Sequence, residues 1–156
     1  MTRISLVIII LAIGSKGFSQ TATDSLFISQ IGQLQMKVAD KCFKREFFLS
    51  NNSTPYDTTK DYFRIGTDYN QFLCGQFINW TDFKIRSKYG SIETDITKKN
   101  EYTCFISTPI FNSSKTKCRL LMNTHFSEWG GHTSYYYYKR KGKKWKLVKS
   151  SLISIS

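Results

Sequence analysis

Alternation of apolar and charged side chains in the second half of this 156-residue chain constrains its fold more than any other feature. Phe83, Ile85 and Tyr89 alternate with lysine and arginine residues. A period of two places one set of side chains on a core and the other in water, as in a strand of an antiparallel sheet. Further strand-forming segments cover residues 102–111, 118–126, 134–139 and 145–155.

Short polar or glycine-containing segments separate these strands. The run 112–116 favours a hairpin turn, and Gly130-Gly131 marks the next reversal. Lys141-Gly142 supplies a tight turn at which glycine tolerates a positive φ. We therefore expect four or five consecutive antiparallel strands joined as a meander.

An amphipathic helix precedes the strands. Asp24 can cap its first turn, and apolar residues recur at spacings of three and four over residues 25 to 42. Residues 47–49 indicate a short strand, and residues 68–78 favour a second short helix. The predicted fold class is α+β, with one or two N-terminal helices packed on a four- to five-stranded antiparallel meander sheet. Residues 20–156 form this single domain.

The first nineteen residues have the pattern of a signal peptide. Met1-Thr2-Arg3 is a short positive region, and an apolar run of about ten residues follows, which is too short to cross a bilayer core of about 30 Å. The small residues Gly17 and Ser19 predict cleavage after residue 19. We expect an exported protein, periplasmic or secreted, without an integral membrane span after cleavage. A retained membrane anchor is the alternative.

The chain is strongly basic, and its charge is uneven. It has 23 Lys and Arg against 11 Asp and Glu, a formal net charge of +12. Residues 102–156 contain 10 basic residues and one acidic residue, a net charge of +9. Nucleic acid is a poor partner for a chain that leaves the cytoplasm. The polyanions outside are acidic glycans, lipid headgroups and acidic proteins.

The last hairpin concentrates this charge next to a run of four tyrosines. Alternation along 135–138 directs two tyrosines inward and two outward, and outward aromatic residues beside cations favour a contact surface. A solvated hairpin in a lysine-rich sequence is the simpler alternative. The candidate partner-binding residues are Tyr136, Tyr138, Lys139, Arg140, Lys141, Lys143, Lys144 and Lys146.

Two motifs carry a resemblance to a known group. They are Thr108-Pro109-Ile110-Phe111-Asn112 with Lys115-Thr116-Lys117, and Tyr135-Tyr136-Tyr137-Tyr138-Lys139 with Gly142-Lys143-Lys144-Trp145-Lys146-Leu147. Over about 55 residues the chain resembles a group of small exported bacterial proteins of unknown function that share two C-terminal hairpins. The group often has a cysteine in the loop between the hairpins, and residues 127–132 here contain none.

The order of the elements resembles a second fold. A helix followed by a curved meander is similar to nuclear transport factor 2-like proteins, whose fold encloses a pocket between helix and sheet. This resemblance concerns element order alone and implies no function.

Four cysteines remain in the expected mature chain. A turn centred near residue 114 places Cys104 opposite about Thr124 and Cys118 opposite about Ile110, so these two cysteines are not cross-strand partners. We interpret Cys104 and Cys118 as buried apolar residues. A disulfide between Cys42 and Cys74 is possible, although three pairings are open.

The sequence offers little for catalysis or metal binding. His125, Glu128 and His132 form the one cluster with metal-ligand side chains, but their spacing matches no ligand signature. No nucleophile motif, phosphate loop or cofactor motif is present, so we expect no cofactor. The leading hypothesis is a non-enzymatic binding domain for an anionic glycan or protein. The alternative is a small-ligand pocket protein or weak hydrolase with a site between helix and sheet, at His125 or His132.

Overall fold

A computed structural model describes residues 22–54, 56, 77–94, 102–126 and 130–155. The expected signal peptide, residues 68–76 of the expected second helix, Cys74 and Glu128 lie outside these ranges. The described residues form one α-helix packed on one face of a mixed sheet. The α+β class is therefore confirmed.

Helix α1 spans Ala22–Phe43 and covers the predicted amphipathic segment, but it begins before Asp24, which lies in its first turn and pairs with Lys115 instead of capping the helix. Its apolar stripe, including Ile28 and Ile31, is buried against the sheet. Gly32 lies on the same side of the helix. A Cβ added at Gly32 would come within 2.8 Å of Trp80 Cζ3, which is too close for a side chain. The helix ends at Phe43, and the next residue, Lys44, caps it. Lys44 has a left-handed φ of 54°, and its N–H donates to the Asp40 carbonyl.

The strands are β1 Phe47–Ser50, β2 Gly90–Glu93, β3 Tyr102–Ile106, β4 Ile110–Phe111, β5 Lys117–Phe126, β6 Gly131–Lys141 and β7 Lys144–Ile155. These seven strands form one sheet in the order β2-β1-β3-β5-β6-β7, with the short β4 paired to β5. The predicted count of four to five was too low, because it left out the four-residue strands β1 and β2 and because residues 102–111 contain two strands, β3 and β4.

The sheet is also partly parallel, which a pure meander is not. Strand β1 pairs parallel to both β2 and β3, with Phe47 opposite Gly90 and Leu49 opposite Cys104. Long connections separate β1 from both partners, and parallel pairing requires such crossovers. The antiparallel prediction holds from β3 through β5 and β6 to β7.

The strand expected over residues 83–89 is absent, because side chains satisfy the backbone there. The Asp40 carboxylate on α1 accepts bonds from the N–H groups of Lys88 and Tyr89 and from the Ser87 hydroxyl. Phe83 instead packs against Trp80 in a short 3-10 helix, Trp80–Asp82. The strand pairing starts only with β2.

The first predicted strand of the central hairpin is interrupted. Residues 107–109 separate β3 from β4, and Ser107 Oγ accepts the Leu121 N–H at 2.8 Å in place of a regular ladder. The register places Cys104 opposite Thr124, as predicted, and Cys118 opposite Phe111, one residue from the expected partner. Both cysteines are buried, as expected.

Two apolar clusters lie on opposite faces of the sheet. The larger cluster lies between α1 and the sheet and includes Phe47, Leu49, Trp80, Leu120 and Trp145. The smaller cluster on the other face contains Tyr56, Ile110, Leu121 and Tyr135. Both faces of the sheet are thus covered around the middle of β6.

Candidate functional site

The tyrosine run belongs to the core rather than to a contact surface. Tyr136 and Tyr138 were expected to stand outward for a partner, but they are only 5% and 2% exposed and face α1. Tyr135 is buried on the opposite face, with its ring centroid 5.6 Å from that of Tyr56. Because both faces are covered here, alternation cannot leave an outward pair. These two tyrosines are therefore removed from the candidate binding residues.

A buried polar group fills the space between α1 and the sheet. Tyr138 Oη donates to Gln35 Oε1 at 2.7 Å, and Gln35 Nε2 contacts Met122 Sδ at 3.0 Å. Burial raises the pKa of the Tyr136 and Tyr138 phenols and of the Cys104 thiol, so all three stay neutral. This packing fills the centre of the interface between α1 and the sheet.

The β6–β7 hairpin presents the predicted lysines to solvent. Arg140 differs, since its guanidinium lies over the Phe27 ring at 4.5 Å and is partly buried. Through this cation–π contact Arg140 packs the hairpin against α1. The exposed hairpin lysines are Lys139, Lys141, Lys143, Lys144, Lys146 and Lys149, which we call the basic surface.

Trp145 anchors the basic surface to the core. It is 5% exposed, and its ring centroid lies 5.6 Å from those of both Phe27 and Phe111. Lys143 and Lys144 immediately precede it at the turn, where Gly142 takes a φ of 60°. Their backbone positions are therefore fixed by the packing of one large aromatic side chain.

A cleft of about 430 Å³ opens between α1 and this turn. Three lysines from two separate parts of the chain meet at it, and none of the described residues that line it is acidic. Such a volume lies within the range of small-ligand sites. The lining residues are Ser29, Gln30, Gln33, Leu34, Lys84, Lys143, Lys144 and Trp145.

Lys84 reaches the cleft because α1 holds its segment in place. Gln33 Nε2 donates to the Arg86 carbonyl at 2.7 Å, and the Arg86 N–H donates to Gln33 Oε1 at 2.8 Å. The Asp40 carboxylate fixes the next turn of this segment. Sequence reasoning missed Lys84, Gln30 and Gln33, since no local signal connects a helix glutamine with a loop more than fifty residues away.

Two residues of the cleft lining each have a buried polar atom without a hydrogen-bond partner among the described residues. These atoms are the Trp145 Nε1–H donor and the Gln30 Oε1 acceptor. Buried polar atoms are nearly always paired, so each unpaired one requires an explanation. An unpaired donor and an unpaired acceptor at one cleft are consistent with a site that a ligand completes.

Two other clefts of similar size contain a carboxylate. One, of about 450 Å³, includes Asp82 and Lys84. The other, of about 440 Å³ at the C-terminal end of α1, combines Asp40 with Lys37, Lys41, Lys44 and Lys88. None of the unpaired buried atoms found in the described residues belongs to either lining.

The histidines contact aromatic rings. The His125 ring packs edge-on against the Phe105 ring, with 5.8 Å between the ring centroids. The His132 ring stacks on the Phe126 ring, with 5.2 Å between the centroids. Burial lowers the pKa of His132. The described residues hold no group of three or more metal-ligand side chains, and Glu128 lies outside them.

Cys42 lies exposed near the end of α1. Its expected partner Cys74 is outside the described residues, so the disulfide stays a prediction. Among the described residues, no helix has the length and apolar character needed to cross a membrane.

Comparison of the chain with protein-family models, curated proteins and solved structures finds no match. The described residues form an α+β domain in which helix α1 and the mixed sheet support a lysine-lined cleft.

Proposed function

We propose that this protein is an exported, non-enzymatic binding domain that holds an anionic glycan or protein partner at its basic surface. The observation that carries the proposal is the separation of side chains on the β6–β7 hairpin. The aromatic residues are buried and fix the hairpin, whereas the lysines are exposed beside a cleft whose described lining has no carboxylate. Fixed cations of one sign raise the local concentration of an anionic ligand and steer its approach.

The nucleophiles of the described core support a binding role over a catalytic one. Cys104 and Cys118 are fully buried, and burial raises the pKa of both thiols. A protonated, inaccessible thiol is not a nucleophile. Export of the chain, indicated by its first nineteen residues, would bring the basic surface to acidic glycans and acidic proteins outside the cell.

Binding to an immobilised acidic polysaccharide over a salt series tests the proposal. We expect affinity to fall steadily as salt rises, because exposed charges are screened over about 10 Å at 0.1 M. Neutralising four hairpin lysines should weaken binding about tenfold or more, since each exposed ion pair contributes about 0.2–1 kcal/mol. The hairpin variant combines Lys141→Gln, Lys143→Gln, Lys144→Gln and Lys146→Gln.

A matched variant controls for net charge. It also removes four positive charges, but from lysines around the C-terminal end of α1, away from the hairpin. We expect it to weaken binding less than threefold. Equal losses in the two variants, or retention that ignores salt, would contradict the proposal. The control combines Lys37→Gln, Lys41→Gln, Lys44→Gln and Lys88→Gln.

A further inference from the structure

We infer that the cleft between α1 and the β6–β7 turn binds a sugar residue bearing a carboxylate, a uronic acid, within an acidic glycan. This inference rests on the proposed function and selects the glycan among its two partner classes. It rests on the lysines, the polar side chains and the two unpaired atoms of the cleft lining.

The charge of the cleft fits one anionic group. Lys84 comes from the loop held by α1, and Lys143 and Lys144 come from the hairpin turn, so ammonium groups approach from two sides. All three lysines are exposed and can adjust to a carboxylate. The described lining of this cleft contains no acidic side chain, and the neighbouring cleft, which contains Asp82, shares only Lys84 of these three lysines with it.

The polar lining suits the hydroxyl groups of a sugar. Ser29 and Gln30 offer a hydroxyl and an amide, and Leu34 and Trp145 add apolar surface. Binding sites of this kind combine apolar walls with a few placed polar groups. An acidic peptide also has donors and acceptors, but it spreads them along an extended backbone instead of around one compact ring.

The unpaired atoms require a ligand with both an acceptor and a donor. A carboxylate oxygen can accept from Trp145 Nε1–H, and a ring hydroxyl can donate to Gln30 Oε1. Within a 1,4-linked uronic acid chain the C4 oxygen is glycosidic, so the donating group is the C2 or C3 hydroxyl of the same ring. Both protein atoms are covered before binding, and Gln30 is half-buried, so its side chain moves as the ligand enters.

The Trp145 indole proton reports directly on this step. The ¹⁵N-labelled protein is titrated with trigalacturonic acid, and the three indole N–H resonances, assigned by triple-resonance spectra, are followed. We expect the Trp145 resonance to shift downfield and saturate. Neutral galactotriose at the same concentration should leave it in place. A hexaglutamate peptide should also leave it in place.

Three variants locate the site. Lys84→Gln should weaken trigalacturonic acid binding about fivefold, whereas the control Lys41→Gln should change it less than twofold. Gln30→Met should also weaken binding, while leaving the urea midpoint unchanged or raised because an unpaired buried acceptor has been removed. A merely structural Gln30 would instead lower the midpoint and leave binding alone.

The outcomes separate the two proposals. Salt-sensitive retention on acidic polysaccharide with an unmoved Trp145 resonance would overturn the uronic acid site and leave the basic surface standing. A hexaglutamate shift equal to that of trigalacturonic acid would overturn the choice of glycan. If the unchanged protein binds neither the acidic polysaccharide nor trigalacturonic acid nor hexaglutamate, both the basic surface and the uronic acid site are overturned.

Discussion

The β6–β7 hairpin has two sides that differ in almost every physical respect. On the side facing α1, Trp145 and Tyr138 are nearly fully buried, whereas Lys143 and Lys144 at the turn are exposed. Burial of large aromatic side chains stabilises a fold by several kcal/mol, and exposed charges contribute little. One short segment therefore separates the residues that hold the structure from those that can meet a ligand, and the two sets can be changed independently.

The largest effect should come from the buried side. Trp145→Ala removes an aromatic side chain packed against Phe27 and Phe111, and we expect it to lower the free energy of unfolding by about 3–5 kcal/mol. Urea denaturation followed by circular dichroism measures this loss. A loss below about 1 kcal/mol would show that the hairpin is not anchored through Trp145.

High pH should produce the next largest effect on the same side. The Tyr136, Tyr138 and Cys104 pKa values lie above their ordinary values of 10.0, 10.0 and 9.0 because burial disfavours the charged forms. Above pH 9 the unfolded chain loses these protons before the folded chain does, so stability falls as pH rises.

The measurement is the urea midpoint at pH 7, 9 and 10.5. We expect a progressive decrease, and the double variant Tyr136→Phe with Tyr138→Phe should flatten it above pH 10 because two of the titrating groups are gone. A midpoint that stays constant to pH 10.5 would contradict the burial of these groups.

A smaller effect isolates the hydrogen bond within the buried side. Tyr138→Phe leaves Gln35 Oε1 without its 2.7 Å donor in a fully buried position, at a cost of about 1–3 kcal/mol. Adding Gln35→Leu should recover part of this loss, since no polar atom of the pair then stays unpaired. Equal stability of the single and double variants, by urea denaturation, would show that the bond does not matter.

The smallest effect on stability should come from the exposed side. Lys143→Gln combined with Lys144→Gln should change the free energy of unfolding by no more than about 0.5 kcal/mol. The same variant should weaken binding to acidic polysaccharide severalfold. A large loss of stability would contradict the separation of the two sets of residues, because the lysines would then help to stabilise the fold.

The sequence predicts long periodic elements well and short, long-range ones poorly. Helix α1 and strand β5 follow from side-chain periodicity, and strands β6 and β7 follow from strand-forming residues separated by glycine turns. Residues 83–89 alternate like a strand, but Asp40, more than forty residues earlier, takes their backbone bonds. Parallel pairing of β1 likewise depends on partners that no local pattern names.

The candidate site divides in the same way. The hairpin lysines were predicted because they are contiguous in sequence. The tyrosines were placed on the wrong side because alternation gives two faces without saying that both are covered, by α1 and by the cluster around Tyr56. Lys84 and Gln33 meet the hairpin only through tertiary packing, so their role could be seen only in the structure.

The position of β1 between β2 and β3 bears on how the chain folds. Strands β5, β6 and β7 are joined by short turns and can pair early, whereas β1 must wait for β2 and β3 from far along the chain. Strand β1, which precedes both of its partners in the chain, is thus among the last elements to be fixed, and the apolar face of α1 stays uncovered until the sheet has formed. Pulse-labelled hydrogen exchange should show late protection of β1.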